Sequence, residues 1–390
     1  MTDNRFEKNP LIAYAIITTF TLLVIEFISY FIVNIDSFTQ SQKPLITNEI
    51  AERHNLDFQK LKDDNKAIYN DTLQFHPYRW YKLKENFKGS YITLDQHGFR
   101  NSQSEKIKAD SLIGFFGGST AFSIFTNDDH TIPVLLEQQL NKRFSIYNYG
   151  VGAYNSTSEL MTFIEVIRSQ NLKYAIFYDG VNEVGRHVEA YERGKLFKNS
   201  QFKNIGHFHE DMTRVGIENS YGYKILTNPY KPNILKAIDK YVFPAKTQSS
   251  SRKRLTSLSA NVNDETFHEL SKEIINTYIN NVKMISAVAE EYGITPIFLW
   301  QPEIYTTRKE LSEYERKHFN KYAGIKKLTK LVLNDIQKDE RLKNYNFHDI
   351  SNALDHLGVK SHFYDYCHVD RDANKAIAIT ISEILKKNYM

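Results

Sequence analysis

The sequence predicts an α/β protein, a three-layer sandwich on a mainly parallel sheet, preceded by an N-terminal transmembrane helix. Three observations point there. From Ser111 onward, short apolar runs alternate with helix-length segments, the rhythm of a parallel sheet covered by helices on both faces. The turns after those runs are rich in Gly, Ser and Asn, and in open α/β sheets ligands bind at the strand ends. Ahead of all this, Leu11 to Ile35 is apolar on every face with one charge, Glu26. At about 1.5 Å per residue it is long enough for a hydrocarbon core of about 30 Å.

In chain order, residues 1–10 read as a short tail, 11–35 as the membrane helix, 36–75 as a stalk and 76–390 as the main domain. A cleaved signal peptide needs a shorter apolar run and a small-x-small site, whereas Asp36-Ser37-Phe38-Thr39 follows here. Arg5 and Lys8 stand closer to the helix than Lys43 and Arg53. The positive-inside rule then gives a cytoplasmic N-terminus and a periplasmic or extracellular domain. Thr47 to Leu73 is polar without Gly or Pro, which suits a helical stalk. His76 to Arg100, dense in aromatics such as Tyr78, Trp80 and Phe99, reads as short strands or loops on the main domain.

The predicted strands are 112–116, 145–149, 174–178 and 295–300; the predicted helices are 132–142, 158–170, 267–292, 318–337 and 373–387. Residues 192–262 interrupt the pattern as an insertion with 13 Lys or Arg against 5 Asp or Glu. They suit either a lid or recruiting surface or a solvated excursion. The run Ser249 to Arg254 suits an anionic polymer or lipid headgroup, and equally an exposed loop.

Composition narrows the function. With 390 residues, 41% hydrophobic and 25% charged, the chain is an ordinary globular length. A net charge of +4 is too small for a protein built to neutralise many phosphates, so no nucleic-acid partner is expected. The single cysteine, Cys367, rules out internal disulfides and reads as a buried small side chain. His207, His209, Glu210 and Asp211 have a spacing that metals accept, but no metal site is expected there. No dinucleotide fingerprint appears, and no cofactor is expected.

Four turns carry chemistry. Gly117-Gly118-Ser119-Thr120 follows the first strand. A serine there can be a nucleophile at a helix start, where free N–H groups face a developing oxyanion, or a plain helix cap. Gly150-Val151-Gly152 follows the second strand and Gly180-Val181-Asn182-Glu183 the third; both are also ordinary turn sequences. Near the C-terminus, Asp365-Tyr366-Cys367-His368 lets a carboxylate fold back on an imidazole three residues later. That would hold its Nδ1–H and leave Nε2 free as a base.

In this order and at these strand ends, the four turns closely resemble the blocks of the SGNH (GDSL-like) hydrolase family over roughly Ser111 to Lys387. The resemblance implies a flavodoxin-like sandwich with Ser119 as nucleophile and His368 with Asp365 as base. It implies an oxyanion hole of the Ser119 and Gly152 N–H groups and the Asn182 side chain. Two positions depart from it. Gly118 stands where the founding pattern has Asp, nearer bacterial members with a Gly-Gly-Ser-Thr turn, and Glu183 stands where many members have Asp. Gln301-Pro302 after the fourth strand also resembles that subgroup, so Gln301 and Glu183 become candidate substrate-binding residues.

The expected activity is a serine esterase removing acyl groups, acetyl first, from cell-envelope or extracellular polysaccharide. An O-acyltransferase on a glycan, a lipase or lysophospholipase, and a non-catalytic membrane-anchored binding protein stay open as alternatives. The oligomeric state is not legible.

Overall fold

The computed structural model describes residues 10–39, 47–70, 73–100, 111–192, 258 and 262–390. Two compact units divide the chain, residues 1–45 with 209–251, and residues 46–208 with 252–390. The charges Arg5, Lys8 and Lys43, the Ser249 to Arg254 run, the His207 to Asp211 set and nearly all of the expected insertion lie outside the described residues.

In the first unit, α1 is a single helix of 30 residues, Pro10–Thr39. Its described side chains, at Tyr14 and from Ile16 to Ser29, are mostly exposed, Ile17, Phe20, Leu22, Leu23 and Phe27 among them. Among the described residues no helix is long and apolar enough to cross a membrane.

The second unit holds the sheet. Its strands are β3 (Leu112–Gly117), β4 (Ser145–Asn148), β5 (Leu172–Asp179), β6 (Thr295–Trp300) and β7 (Phe347–Asp349), ordered β4-β3-β5-β6-β7 and all parallel. The expected α/β sheet is therefore present. Strand β7 escaped the sequence because three residues are too few to show a period. Near-continuous burial along β3 and β5 marks strands covered on both faces. In register, Phe116, Phe177 and Phe298 stack across three strands with centroids 5.0 and 5.3 Å apart. This aromatic row fixes the pairing, since a one-residue slip would turn every ring to the other face.

The helices are α5 (Ile132–Gln139), α6 (Ser156–Ile167), α7 (Val181–Glu192), α8 (Asp264–Glu291), α9 (Glu313–Lys321), α10 (Ala323–Gln337) and α11 (Arg371–Asn388), with the short α4 (Ser119–Phe122) between β3 and α5. Helices α6, α7, α8 and α10 form one contacting group and α5 with α11 another. The reversal of strand order at β3 with right-handed crossovers sends the two groups to opposite faces. The single helix expected over 318–337 is two, because a capping box of Ser312 and Glu315 starts α9 early and the chain breaks at Tyr322.

From Thr47 on, the segment expected as a stalk is two helices packed into this same unit, α2 (Thr47–Arg53) and α3 (Phe58–Asn70). Ile50, Ala51, Leu61 and Ile68 are buried. Asp64 accepts the backbone N–H groups of Ser90, Tyr91 and Ile92, tying α3 to the aromatic segment that includes the β1–β2 pair (Gln74–His76, Trp80–Lys82).

Candidate active site

Strand β3 ends at Gly117, and Ser119 opens α4. As the first helical residue, Ser119 keeps an N–H with no acceptor inside its own helix. Gly118 has no room for a side chain: a Cβ there would lie 2.0 Å from the Asn182 Nδ2 and 2.9 Å from the Tyr154 carbonyl oxygen. The glycine is what lets the Asn182 amide close in on the serine turn. Asn182 Nδ2 donates to the Tyr154 carbonyl oxygen at 2.7 Å, and a primary amide has a second N–H to offer.

The turn after α4 is strained and buttressed. Ser123 and Phe125 both take positive φ, 60° and 69°, which non-glycine residues adopt only when their surroundings hold them there. The fully buried Arg100 does so, donating to the carbonyl oxygens of Phe122, Ser123 and Thr126 and pairing with Asp128 at 2.9 Å. Phe125 thereby packs edge-on against the His368 ring, centroids 5.7 Å apart.

The histidine loop runs from Ser361 to Asp370. It folds on itself through Tyr364 N–H to His368 O and Asp370 N–H to His362 O. Inside it, Asp365 Oδ1 accepts the N–H groups of Cys367 and His368, and Asp365 Oδ2 lies 2.7 Å from His368 Nδ1. His368 Nε2 lies 2.7 Å from Ser119 Oγ. Burial pushes the Asp365 carboxyl upward, but the His368 charge and these hydrogen bonds outweigh it and bring it down to about 2. Asp365 is therefore a carboxylate at any working pH. Cys367 is buried, and burial together with the nearby Asp365 and Glu303 charges pushes its thiol far up, so it carries no thiolate.

Two buried acids hold this loop in place, one from a neighbouring helix and one at its own end. Glu315, in a buried pair with Lys309 at 2.7 Å, accepts the His362 and Phe363 N–H groups. Asp370 accepts from Arg53 and His54 at the end of α2, from His362, and from the Ala373 N–H as cap of α11. Burial alone would raise the Asp370 carboxyl, yet the His362 and His54 hydrogen bonds hold it well below the usual range. His54, Asp370 and Asp372 are close enough together to share an ion, but Arg53 and two histidines already engage the central carboxylate.

The remaining predicted residues fare differently. Gly152 lies in the same turn cluster, but its N–H donates to the Tyr69 hydroxyl at 3.1 Å and its carbonyl oxygen accepts from the Tyr81 hydroxyl. Glu183 is not presented to a substrate: it is buried, accepting from the N–H and hydroxyl of Ser156, and so fastens the start of α6 to that of α7. Gln301 is also buried and accepts from the Thr120 hydroxyl at 2.5 Å. Its side chain braces the residue after the serine instead of lining a cleft.

Sequence reasoning missed Arg53, His54, Tyr69, Arg100, Lys309, Glu315 and Asp370. Isolated charged or aromatic residues with remote partners give no local pattern; the local signals were the Asp370 cap of α11 and the capping box of α9 formed by Ser312 and Glu315. Behind the turns that carry Asn182 and Tyr154, Glu159, Asp179 and Glu183 are buried together. Burial and their mutual charge drive Glu159 well up, while burial first of all lifts Asp179 to about 7 and Glu183 to about 8. Glu303, buried with one oxygen lacking a hydrogen-bond partner, is lifted to about 8 by burial.

Solved structures of similar fold were found. One is a member of the lipolytic protein G-D-S-L family from Veillonella parvula, 8% identical, covering 71% of this chain and 97% of that one at a TM-score of 0.38. Another is a carbohydrate acetylesterase family member from Sinorhizobium meliloti, 8% identical over 71% of this chain and 98% of that one, TM-score 0.36. A third is the acetyl xylan esterase AlAXEase, 9% identical over 72% of this chain and 100% of that one, TM-score 0.32. Likenesses this remote assign no activity. No protein-family model and no curated protein matches the chain.

Proposed function

We propose that the chain is a serine esterase of the SGNH type with Ser119 as nucleophile, His368 as general base and Asp365 as its orienting carboxylate. The observation that carries this reading is the unbroken line of contacts from Asp365 Oδ2 through both ring nitrogens of His368 to Ser119 Oγ, each 2.7 Å long. Asp365 fixes the tautomer with hydrogen on Nδ1, so Nε2 accepts the serine proton as Oγ bonds to the ester carbonyl carbon. Negative charge then develops on the carbonyl oxygen, beside the Ser119 N–H and the second Asn182 N–H. Collapse expels the alcohol, which takes the proton from His368, and water repeats the sequence to free the acid.

The substrate we favour is a short acyl ester, acetyl first, on a carbohydrate of the cell envelope or outside it. Helix α1, apolar along Leu11 to Ile35, is on this reading a single-pass anchor with a short cytoplasmic N-terminus.

The test is labelling of the detergent-solubilised chain by a fluorophosphonate, with Ser119→Ala as control, followed by p-nitrophenyl esters of graded length. Labelling confined to Ser119 and a preference for acetyl are the expected results. Labelling that persists in Ser119→Ala would place the nucleophile elsewhere.

A further inference from the structure

Of the three donors the family resemblance implies for the oxyanion, one is already engaged. The Gly152 N–H points at the Tyr69 hydroxyl oxygen, 3.1 Å away, and an amide has one hydrogen to give. A substrate oxygen could reach it only by displacing Tyr69. That residue is firmly held. It belongs to α3, anchored by the fully buried Leu61 and Ile68 and by the three hydrogen bonds to Asp64. Its ring rests edge-on against Phe122, centroids 5.9 Å apart. On the other side Gly152 is held by Tyr81, and a Cβ at Gly152 would stand 2.5 Å from the Tyr69 oxygen. The glycine is there to admit the phenol.

A tyrosine hydroxyl that accepts one hydrogen bond still has its own proton to donate, and among the described residues no acceptor takes the Tyr69 proton. The surrounding turns bring this hydroxyl to the serine's neighbourhood. Val151 N–H bonds the Gly117 carbonyl oxygen, the Tyr154 carbonyl oxygen takes the Asn182 amide, and Phe122 lies on the same short helix as Ser119.

We propose that the Tyr69 hydroxyl, polarised from behind by the Gly152 N–H, is the oxyanion donor at the position where the family resemblance implies the Gly152 backbone. The inference rests on Ser119 being the nucleophile. As the Ser119 oxygen bonds to the acyl carbon, the carbonyl π pair moves onto oxygen and Tyr69 donates a hydrogen bond to it. No proton is transferred: burial pushes the phenol far above its ordinary value, so it stays protonated throughout the reaction. Accepting the amide hydrogen bond strengthens the phenol as a donor, so Gly152 acts through Tyr69.

The experiment uses the full chain in detergent with p-nitrophenyl acetate. Tyr69→Phe keeps the ring and removes only the hydroxyl; kcat should fall about a hundredfold or more, the usual cost of one oxyanion donor, with KM near wild type and the melting temperature lowered only by the Gly152 N–H left unpaired. Fluorotyrosines placed at position 69 keep the shape and change the acidity of the phenol, and kcat should change steadily along that series. Undiminished or raised turnover in Tyr69→Phe would overturn the proposal, the latter marking the hydroxyl as a plug. Should Tyr69→Phe fail to fold, the fluorotyrosine series decides: a kcat indifferent to phenol acidity refutes the role. Fluorophosphonate labelling of wild type is read separately, and its absence removes the nucleophile and this inference together.

Discussion

His54 Nε2 lies 2.8 Å from the Asp370 carboxylate across 316 positions of sequence, so the end of α2 grips the loop that carries His368 and Asp365. Asp370 is buried, and its charge is matched by Arg53, His54 and His362.

The first prediction concerns that grip. Because Asp370 stays ionised in the folded chain far below the value near 3.9 of a free Asp, its stabilisation is complete above that value. It is lost as pH falls toward the depressed folded value. Thermal melts of wild type should drop steeply from pH 4 to pH 2, and Asp370→Asn should be less stable at pH 7 with a flatter acid limb. His54→Ala should cost about 1.5–3 kcal/mol, as for a hydrogen bond to a charged group, and lower turnover by loosening the loop. Parallel acid limbs in wild type and Asp370→Asn would contradict the assignment.

At the oxyanion turn, Asn182→Ala should reduce kcat for p-nitrophenyl acetate about a hundredfold or more. Gly118→Asp should be as damaging, since even a Cβ would lie 2.0 Å from Asn182 Nδ2. Steady-state kinetics of both variants, with circular dichroism to check folding, test this. Full activity in Asn182→Ala rules out its donor role.

Glu303 gives an opposite pH dependence. Its carboxyl is lifted to about 8 by burial, so the folded chain holds a proton that the unfolded chain releases above about pH 4.3. Stability should therefore decline as pH rises from about 4.3 to 8. Glu303→Gln removes that decline: the variant should match wild type near pH 4 and exceed it at pH 8, every tenfold difference in proton affinity between the folded and unfolded chain being worth about 1.4 kcal/mol. Denaturant midpoints at the two pH values measure it.

Lys309 and Glu315 are both without exposed side-chain surface and 2.7 Å apart. Lys309→Met strands the Glu315 charge, and breaking one side of a buried pair costs about 3–5 kcal/mol. Urea titration should show that loss, and the loop resting on Glu315 should turn over substrate more slowly even where the variant is folded.

The parts legible in the sequence were those with a local signature. Long periodic helices and apolar strands announced themselves, with β6 read to the residue as Thr295–Trp300. Asp365 and His368 stood three residues apart, a spacing that already implied their contact, whereas the meeting of Ser119 with His368 was implied by the family resemblance alone. Positions whose role is set by a remote partner were not legible. Gln301 and Glu183 sit beside the cleft in sequence, but their amide and carboxylate turn inward to Thr120 and Ser156. Arg100 could not be foreseen in a buried place, because its warrant is three carbonyl oxygens of a strained turn more than twenty residues away.

The docking of α2 and α3 against the histidine loop and the Gly152 turn has a practical corollary for anyone trimming the gene. A version begun at residue 76, the boundary the sequence suggests, would discard Arg53, His54, Asp64 and Tyr69 and leave their partners bare. To remove α1 and keep a working enzyme, the cut belongs just upstream of Thr47.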